Sequence, residues 1–212
     1  MREEFRSDLR EVGHLLVSMA ETSRSQMRQA TYALLTADKE SAEAVIANDE
    51  AINGLFKEVE ERVHRLLAQQ QPVARDLRAV ITALHISTDI ERMGDLAEHV
   101  AKTALRRHPA SAVPAELATV FADMAEAADR IAGKITLVLA ERDAKRAAEL
   151  EHDDDAMDEL ERHLFEIILG PDWSYGVESA IDGALLGRFY ERFADHAVNA
   201  GRHVIFLVTG EN

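Results

Sequence analysis

The chain has 212 residues and a formal net charge of −15, with 47% hydrophobic and 30% charged side chains and no cysteine. That excludes disulfides and thiolate metal sites, makes nucleic acid and anionic lipid poor partners, and suits one elongated domain or two small ones. Aromatics at 5%, with 4 Pro and 10 Gly, fall short of what a β-protein needs in strands and turns, whereas Ala, Leu, Glu and Arg, all good helix formers, are abundant.

Few breakers interrupt the chain, and they predict six long helical segments. The first runs from about Arg6 to Ala37, where "TADKES" supplies turn and cap residues. The second runs from about Lys39 to Gln69 and ends at "QQQP". Its stripe of Val45, Ile52, Leu55, Phe56, Val59 and Val63 keeps helical spacing. The third covers about Arg75 to Arg107 and stops before "HPASAVP". The fourth starts near Pro114, a residue suited to a first helical turn, and ends around Glu141. The fifth spans about Ala144 to Leu169, with an apolar stripe that includes Leu150, Met157, Leu160 and Leu164. The sixth follows "GPDWSYG" and runs from about Gly176 to Val208. Helices this long predict bundles. The N-terminus, "MREEFRSDLREV", is charged from its second residue, so no signal peptide is read, and no apolar run is long enough to span a membrane. The expected location is the cytoplasm, with any membrane association going through another protein.

Three segments followed by three more suggest a duplication. "LLTADKESAEAVIANDEAIN" aligns with "LAERDAKRAAELEHDDDAMD", so that Asp38 meets Asp143, Asp49 meets Asp154 and Asn53 meets Asp158. Further on, "ERMGDLAEHV" aligns with "ERFADHAVNA", so that Glu91 meets Glu191 and Asp95 meets Asp195. The five residues lost between these two registers fall at the second hairpin turn, where "QQQPVARDLR" and "GPDWSYGVES" differ. The expectation is therefore an all-α chain of two tandem, pseudo-symmetric, antiparallel three-helix bundles, residues 1–108 and 109–212.

The repeated phrase is acidic. Residues four apart stack on one helical face, so Glu91 lies over Asp95 and Glu191 over Asp195, and like charges there repel by a few tenths of a kcal/mol. His99 and Asn199, both able to ligate a metal, come next on the same faces. Helical rise places the facing acids at the same height. Glu91 is 20 residues after a turn centred near Gln71 and Asp49 is 22 before it, so both sit roughly 30 Å from the turn. Glu191 is 18 residues after Trp173 and Asp154 is 19 before it. Asp49 with Asn53, and Asp154 with Asp158, are themselves four apart. Each hairpin thus gathers oxygen-bearing side chains at one level, which suits a hard, highly charged cation with His as an optional nitrogen ligand. Gly94 and its counterpart Ala194 are small enough to let the two backbones approach closely.

A bland reading stands beside this one: most i,i+4 acid pairs line solvated faces, and Arg92 and Arg192 are at hand to neutralise these. A di-iron bundle would use Glu-x-x-His pairs. The three present, Glu11/His14, Glu61/His64 and Glu149/His152, do not recur at repeat-equivalent positions and are read as chance. His14, His64, His152 and His203 are read as ordinary surface or interface residues. No Gly-rich phosphate loop, HExxH or nucleophile–base motif is present.

"DIERMGDLAEHVAK" and "YERFADHAVNAGRHVIFLVTGE", in this order and spacing, resemble the PhoU family of phosphate-signalling regulators. "QPVARDLRAVITALHISTDIERMGD" is similar to that family's third helix, and "ERDAKRAAELEHDDDAMDELE" to its corresponding turn and acidic helix start. The resemblance implies two side-by-side three-helix bundles, a homodimer, and a cytoplasmic, non-enzymatic negative regulator of the phosphate-starvation response. Its implied partners are the ATPase of the phosphate ABC transporter and a membrane sensor histidine kinase. It also implies metal binding, with Fe, Zn, Mn or Mg as candidates, at Glu91 and Asp95 in one half and Glu191 and Asp195 in the other. Asp49, Asp154 and Asp158 fit the facing acidic positions, and Asn53, His99 and Asn199 complete the candidate ligand set. His99 stands where the family commonly has Asn, and Ala194 where it commonly has Gly, which sets the halves apart. The alternative function is a carboxylate-bridged di-metal enzyme or a metal-storage bundle.

Overall fold

A computed structural model describes residues 2–210. The expected domain limits begin at Met1 and end at Asn212, which lie outside the described residues. The described residues form helices and no strand: α1 (Arg2–Thr36), α2 (Lys39–Gln70), α3 (Arg75–Arg107), α4 (Ala115–Glu141), α5 (Ala144–Ala148), α6 (Leu150–Ile168) and α7 (Gly176–Thr209). Helices α1, α2 and α3 pack on one another as one three-helix bundle, and α4, α6 and α7 as a second. No described helix is long and apolar enough to cross a membrane.

The duplication is visible in the backbone. Ala37 and Arg142, equivalent in the sequence alignment, both take φ 53°. The next residue in each half is an aspartate that caps the following helix. Asp38 Oδ2 accepts from the Ser41 amide at 3.1 Å, and Asp143 Oδ1 accepts from the Lys145 and Arg146 amides at 3.0 and 3.1 Å. The fifth predicted segment is one chain path with a break: at Glu149 the amide bonds to Arg146 O instead of a carbonyl four back. Glu149 keeps helical angles (φ −73°, ψ −18°), so a single tightened turn separates α5 from α6.

One continuous apolar core runs through both bundles. The halves meet along two antiparallel contacts, α3 on α7 and α1 on α4. Along the α3–α7 seam, Arg78 lies over the Phe206 ring, Asp89 bonds His196, the His99 ring packs on Phe189, and Arg106 pairs with Asp182. Each step up α3 is thus a step down α7. At α1–α4, Arg24 forms a bidentate ion pair with Asp129, both bonds 2.7 Å. Beneath the seam the fully buried Tyr190 hydroxyl is 2.6 Å from Thr31 Oγ1, which in turn donates to Met27 O.

Candidate functional site

The acids of each hairpin face one another across α2–α3 and across α6–α7. The first pair of helices approaches closely at Gly94. A Cβ there would stand 2.9 Å from Ile52 Cδ1 and 3.0 Å from Ile52 Cγ2, so glycine is what lets α2 reach α3. In the second half the equivalent pair is Met157 and Ala194, both fully buried, and the unbranched Met leaves room for the extra methyl.

In the first patch, Asn53 Nδ2 donates to Asp49 Oδ2 at 2.7 Å, while Asp49 Oδ1 is buried without a hydrogen-bond partner. Burial raises the Asp49 pKa, helped by the Glu98 and Asp95 carboxylates. Glu91 is raised for the same reason, burial first and then Asp95, with Arg92 opposing. Arg92 Nη1 donates to Asp95 Oδ2 at 2.6 Å. Glu98 is tied to Lys102 at 2.5 Å.

The second patch is more acidic and more buried. Glu191 is 8% exposed; its Oε1 pairs with Arg188 at 2.5 Å and its Oε2 is buried without a partner. Burial, then Asp195, pushes the Glu191 carboxyl up to about 7. Asp154 Oδ1 is likewise buried and unpartnered, and burial with the Asp195 and Asp158 charges pushes this carboxyl up to about 6.

The structure therefore brings together Asp49, Asn53, Glu91 and Asp95 in one half, and Asp154, Asp158, Glu191 and Asp195 in the other. His99 and Asn199 are held differently. His99 Nδ1 lies 2.6 Å from Asp95 O, and its ring packs on Phe189. Asn199 accepts from Arg202, which also pairs with Glu151. Glu98 beside Asp49 and Glu161 beside Glu191, acids that the sequence reading left out, join the patches electrostatically. Helical register carried the signal for both. Glu98 lies seven residues after Glu91 and three after Asp95, and Glu161 lies seven after Asp154 and three after Asp158.

The oxygens of a patch attract a cation electrostatically. Among the described residues, however, no three acid or imidazole groups stand as a ready-made metal cage. The buried, unpartnered oxygens of Asp49, Asp154 and Glu191 fit a cation all the same. A hard divalent ion that keeps several of its waters needs only one or two carboxylates from the protein. It would also relieve the mutual repulsion and desolvation that raise these pKa values.

A second cluster lies on the seam. His196 Nδ1 is 3.0 Å from Asp89 Oδ1, His203 Nε2 is 3.6 Å from Asp89 Oδ2, and the His203 and His85 rings stack at 5.2 Å. Burial lowers the His203 pKa, while Asp89 opposes that and His85 adds to it. Helical spacing puts His85 with Asp89 and His196 with His203, but nothing within one segment joins the two pairs, because they come from two halves of the chain.

Comparison with known proteins places this architecture. The family model described as "PhoU domain" matches residues 16–104 and 121–204. The chain is 46% identical to the phosphate-specific transport system accessory protein PhoU homolog 2 of Mycobacterium tuberculosis, over 99% of each chain. Its fold is similar to the crystal structure of the phosphate transport system regulatory protein PhoU from Streptococcus pneumoniae (TM-score 0.88, 27% identity, 98% of each chain). It is also similar to that of PhoU from Pseudomonas aeruginosa (TM-score 0.85, 26% identity, 98% of this chain and 100% of that one). Each of the two matched segments carries one acid patch, and the chain belongs to the PhoU family.

Proposed function

We propose that this protein is a cytoplasmic, non-enzymatic adaptor that represses the phosphate-starvation response when phosphate is plentiful. In this reading it links the ATPase of a phosphate ABC transporter to a membrane sensor histidine kinase, and divalent cations bind its two acid patches. Support comes from relatives named as accessory or regulatory proteins of phosphate transport, at full-chain coverage. The observation that carries the cation half of the reading is the recurrence of a buried, unpartnered carboxylate oxygen at the equivalent residues Asp49 and Asp154. Two solvated acid faces would have no cause to bury the same oxygen twice.

Deleting the gene in a strain without a paralogue tests the regulatory half. Phosphate-uptake and phosphatase genes are then expressed in ample phosphate, and reintroducing the wild-type chain silences them. Unchanged expression overturns the reading. Reintroducing Asp154→Asn/Glu191→Gln tests whether the acid patch is needed. Co-purification of the transporter ATPase and of the kinase with the tagged chain, in replete and starved cells, tests the two links separately.

A further inference from the structure

The outer face of the α6–α7 hairpin is built in two sections. Near the turn lies an apolar groove of about 490 Å³, whose walls include Phe165, Ile168, Trp173, Val177 and Ile181. Its apolar side chains are unusually open: Leu169 is 80%, Val177 76% and Ile181 53% exposed. Exposed apolar side chains gathered like this mark an interaction surface. Farther from the turn the same face turns acidic. On α6 the residues Ile168, Phe165, Glu161, Asp158 and Asp154 follow at helical steps of three and four. On α7 Val177, Ile181, Ala184, Arg188, Glu191 and Asp195 follow in the same way. Glu161 and Asp158 both act on Glu191 across the two helices, so the acidic stripes meet as the apolar ones do. From Ile168 to Asp154 the face is roughly 20 Å long, about four helical turns.

We propose that this face is the docking site for a cationic amphipathic helix of a partner protein. The partner's apolar side chains fill the groove at Val177 and Ile181, and its Lys or Arg residues lie over Glu161 and Asp158. The occupant follows from charge and shape. A helix laid in a groove uses anchors three or four residues apart, the spacing that the groove offers. Acids beyond the groove, with Glu166 and Asp172 beside it, attract a basic segment and repel an anionic lipid surface. The equivalent tip of the first hairpin has the opposite rim. There Leu77 and Ile81 are exposed beside Arg75 and Arg78. The α6–α7 tip alone therefore suits a basic partner. This inference rests on the adaptor reading and assigns to it one surface and the chemistry of what binds there.

The protein carries its own reporter, since Trp173 is the chain's single tryptophan and lines the groove. The full chain is titrated with a tryptophan-free, 18-residue Leu/Lys amphipathic peptide, and Trp173 emission and peptide anisotropy are followed. The probes for comparison are the same peptide with Glu for Lys, and phosphatidylglycerol vesicles. Binding of the Leu/Lys peptide should shift Trp173 emission. Its affinity should fall about tenfold or more in Val177→Ser/Ile181→Ser, whose side chains are too exposed to be needed for folding. Glu161→Gln/Asp158→Asn should lower the affinity several-fold and flatten its salt dependence. Leu77→Ser/Ile81→Ser should leave it unchanged. Equal binding of the Leu/Glu peptide, or unaltered binding by Val177→Ser/Ile181→Ser, overturns the proposal. A Trp173 shift with vesicles alone assigns the groove to lipid, and a concentration-dependent mass increase lost in Ile181→Ser assigns it to a second copy; either result also overturns it. A chain that restores repression in the deletion strain but gives no Trp173 response removes this inference and leaves the adaptor reading standing.

Discussion

The two acid patches descend from one sequence phrase and differ in how their charge is held. At its four repeat-matched positions the first has three acids, Asp49, Glu91 and Asp95, with Asn53 donating to Asp49 and Arg92 clasping Asp95. The second has Asp158 where the first has Asn53, so four acids face one another, and Arg188 reaches only one oxygen of Glu191. Identical backbone placement therefore gives two different electrostatic problems. The first is largely resolved by the protein's own donors, and the second is left for a cation. In the reading proposed above, the second patch is the tighter site.

The largest expected effect concerns the close approach under the patches. Gly94→Ala drives a methyl into Ile52 and should cost about 1–3 kcal/mol, the usual range for overpacking. Ile52→Met in the same chain should recover most of that, because Met157 already accommodates Ala194 in the other half. Ala194→Gly should cost only about 1 kcal/mol through helix propensity. Urea unfolding of the three variants beside the wild type measures this, and equal losses at Gly94 and Ala194 would break the packing side of the comparison.

Next comes cation affinity. Asp195→Asn should weaken Mn²⁺ or Mg²⁺ binding about tenfold, or about 1.4 kcal/mol. Asp95→Asn should weaken it less, and Glu116→Gln, outside both patches, not at all. Calorimetric titration decides the order; a greater loss for Asp95→Asn reverses it.

The pH dependence of stability is a third measure. Glutamate in an unfolded chain titrates near about 4.3, and Glu191 in the folded chain at about 7. Between these values the folded state holds a proton that the unfolded state has lost. The stability from protonated Glu191 is therefore complete below the unfolded value and disappears as pH rises through the folded one. With chelator present, the urea midpoint should fall over this window, and Glu191→Gln should flatten the fall. Glu91→Gln should change it less.

The smallest effect is at Arg92. Its pair with Asp95 is solvent-exposed, so Arg92→Ala should alter stability by no more than about 0.5 kcal/mol. Yet it should raise cation affinity at the first patch several-fold, bringing it nearer to the second. No change in affinity would mean that Arg92 does not set the difference between the halves.

Helical content, the duplication and the joint height of the acids were legible because each depends on spacing within one segment. Asp38 declared itself as a cap by residue type, with Asp143 only its aligned residue, and Gly94 as a close approach by its lack of a side chain. The tightened turn at Glu149 had no breaker to announce it. The partners of Asp89, Tyr190 and Arg106 were hidden for another reason. They lie on α7 and α1, and nothing in a single chain's periodicity fixes how one bundle sits on another. The same limit applies to His99, whose ring is claimed by Phe189 of the other half. The fate of Asn199 was decided by Arg202, three residues on, whose reach to Glu151 comes from packing and not from register.

Arg24 and Asp129 are equivalent residues of the two copies, and they bond to each other. On a true symmetry axis a residue meets its own twin, so two free-standing first halves would set Arg24 against Arg24, and two second halves Asp129 against Asp129. Either pairing would be repulsive. At this contact opposite charges favour the joining of unlike halves over a pairing of like ones, so one pair of positions gives the seam a direction as well as a bond.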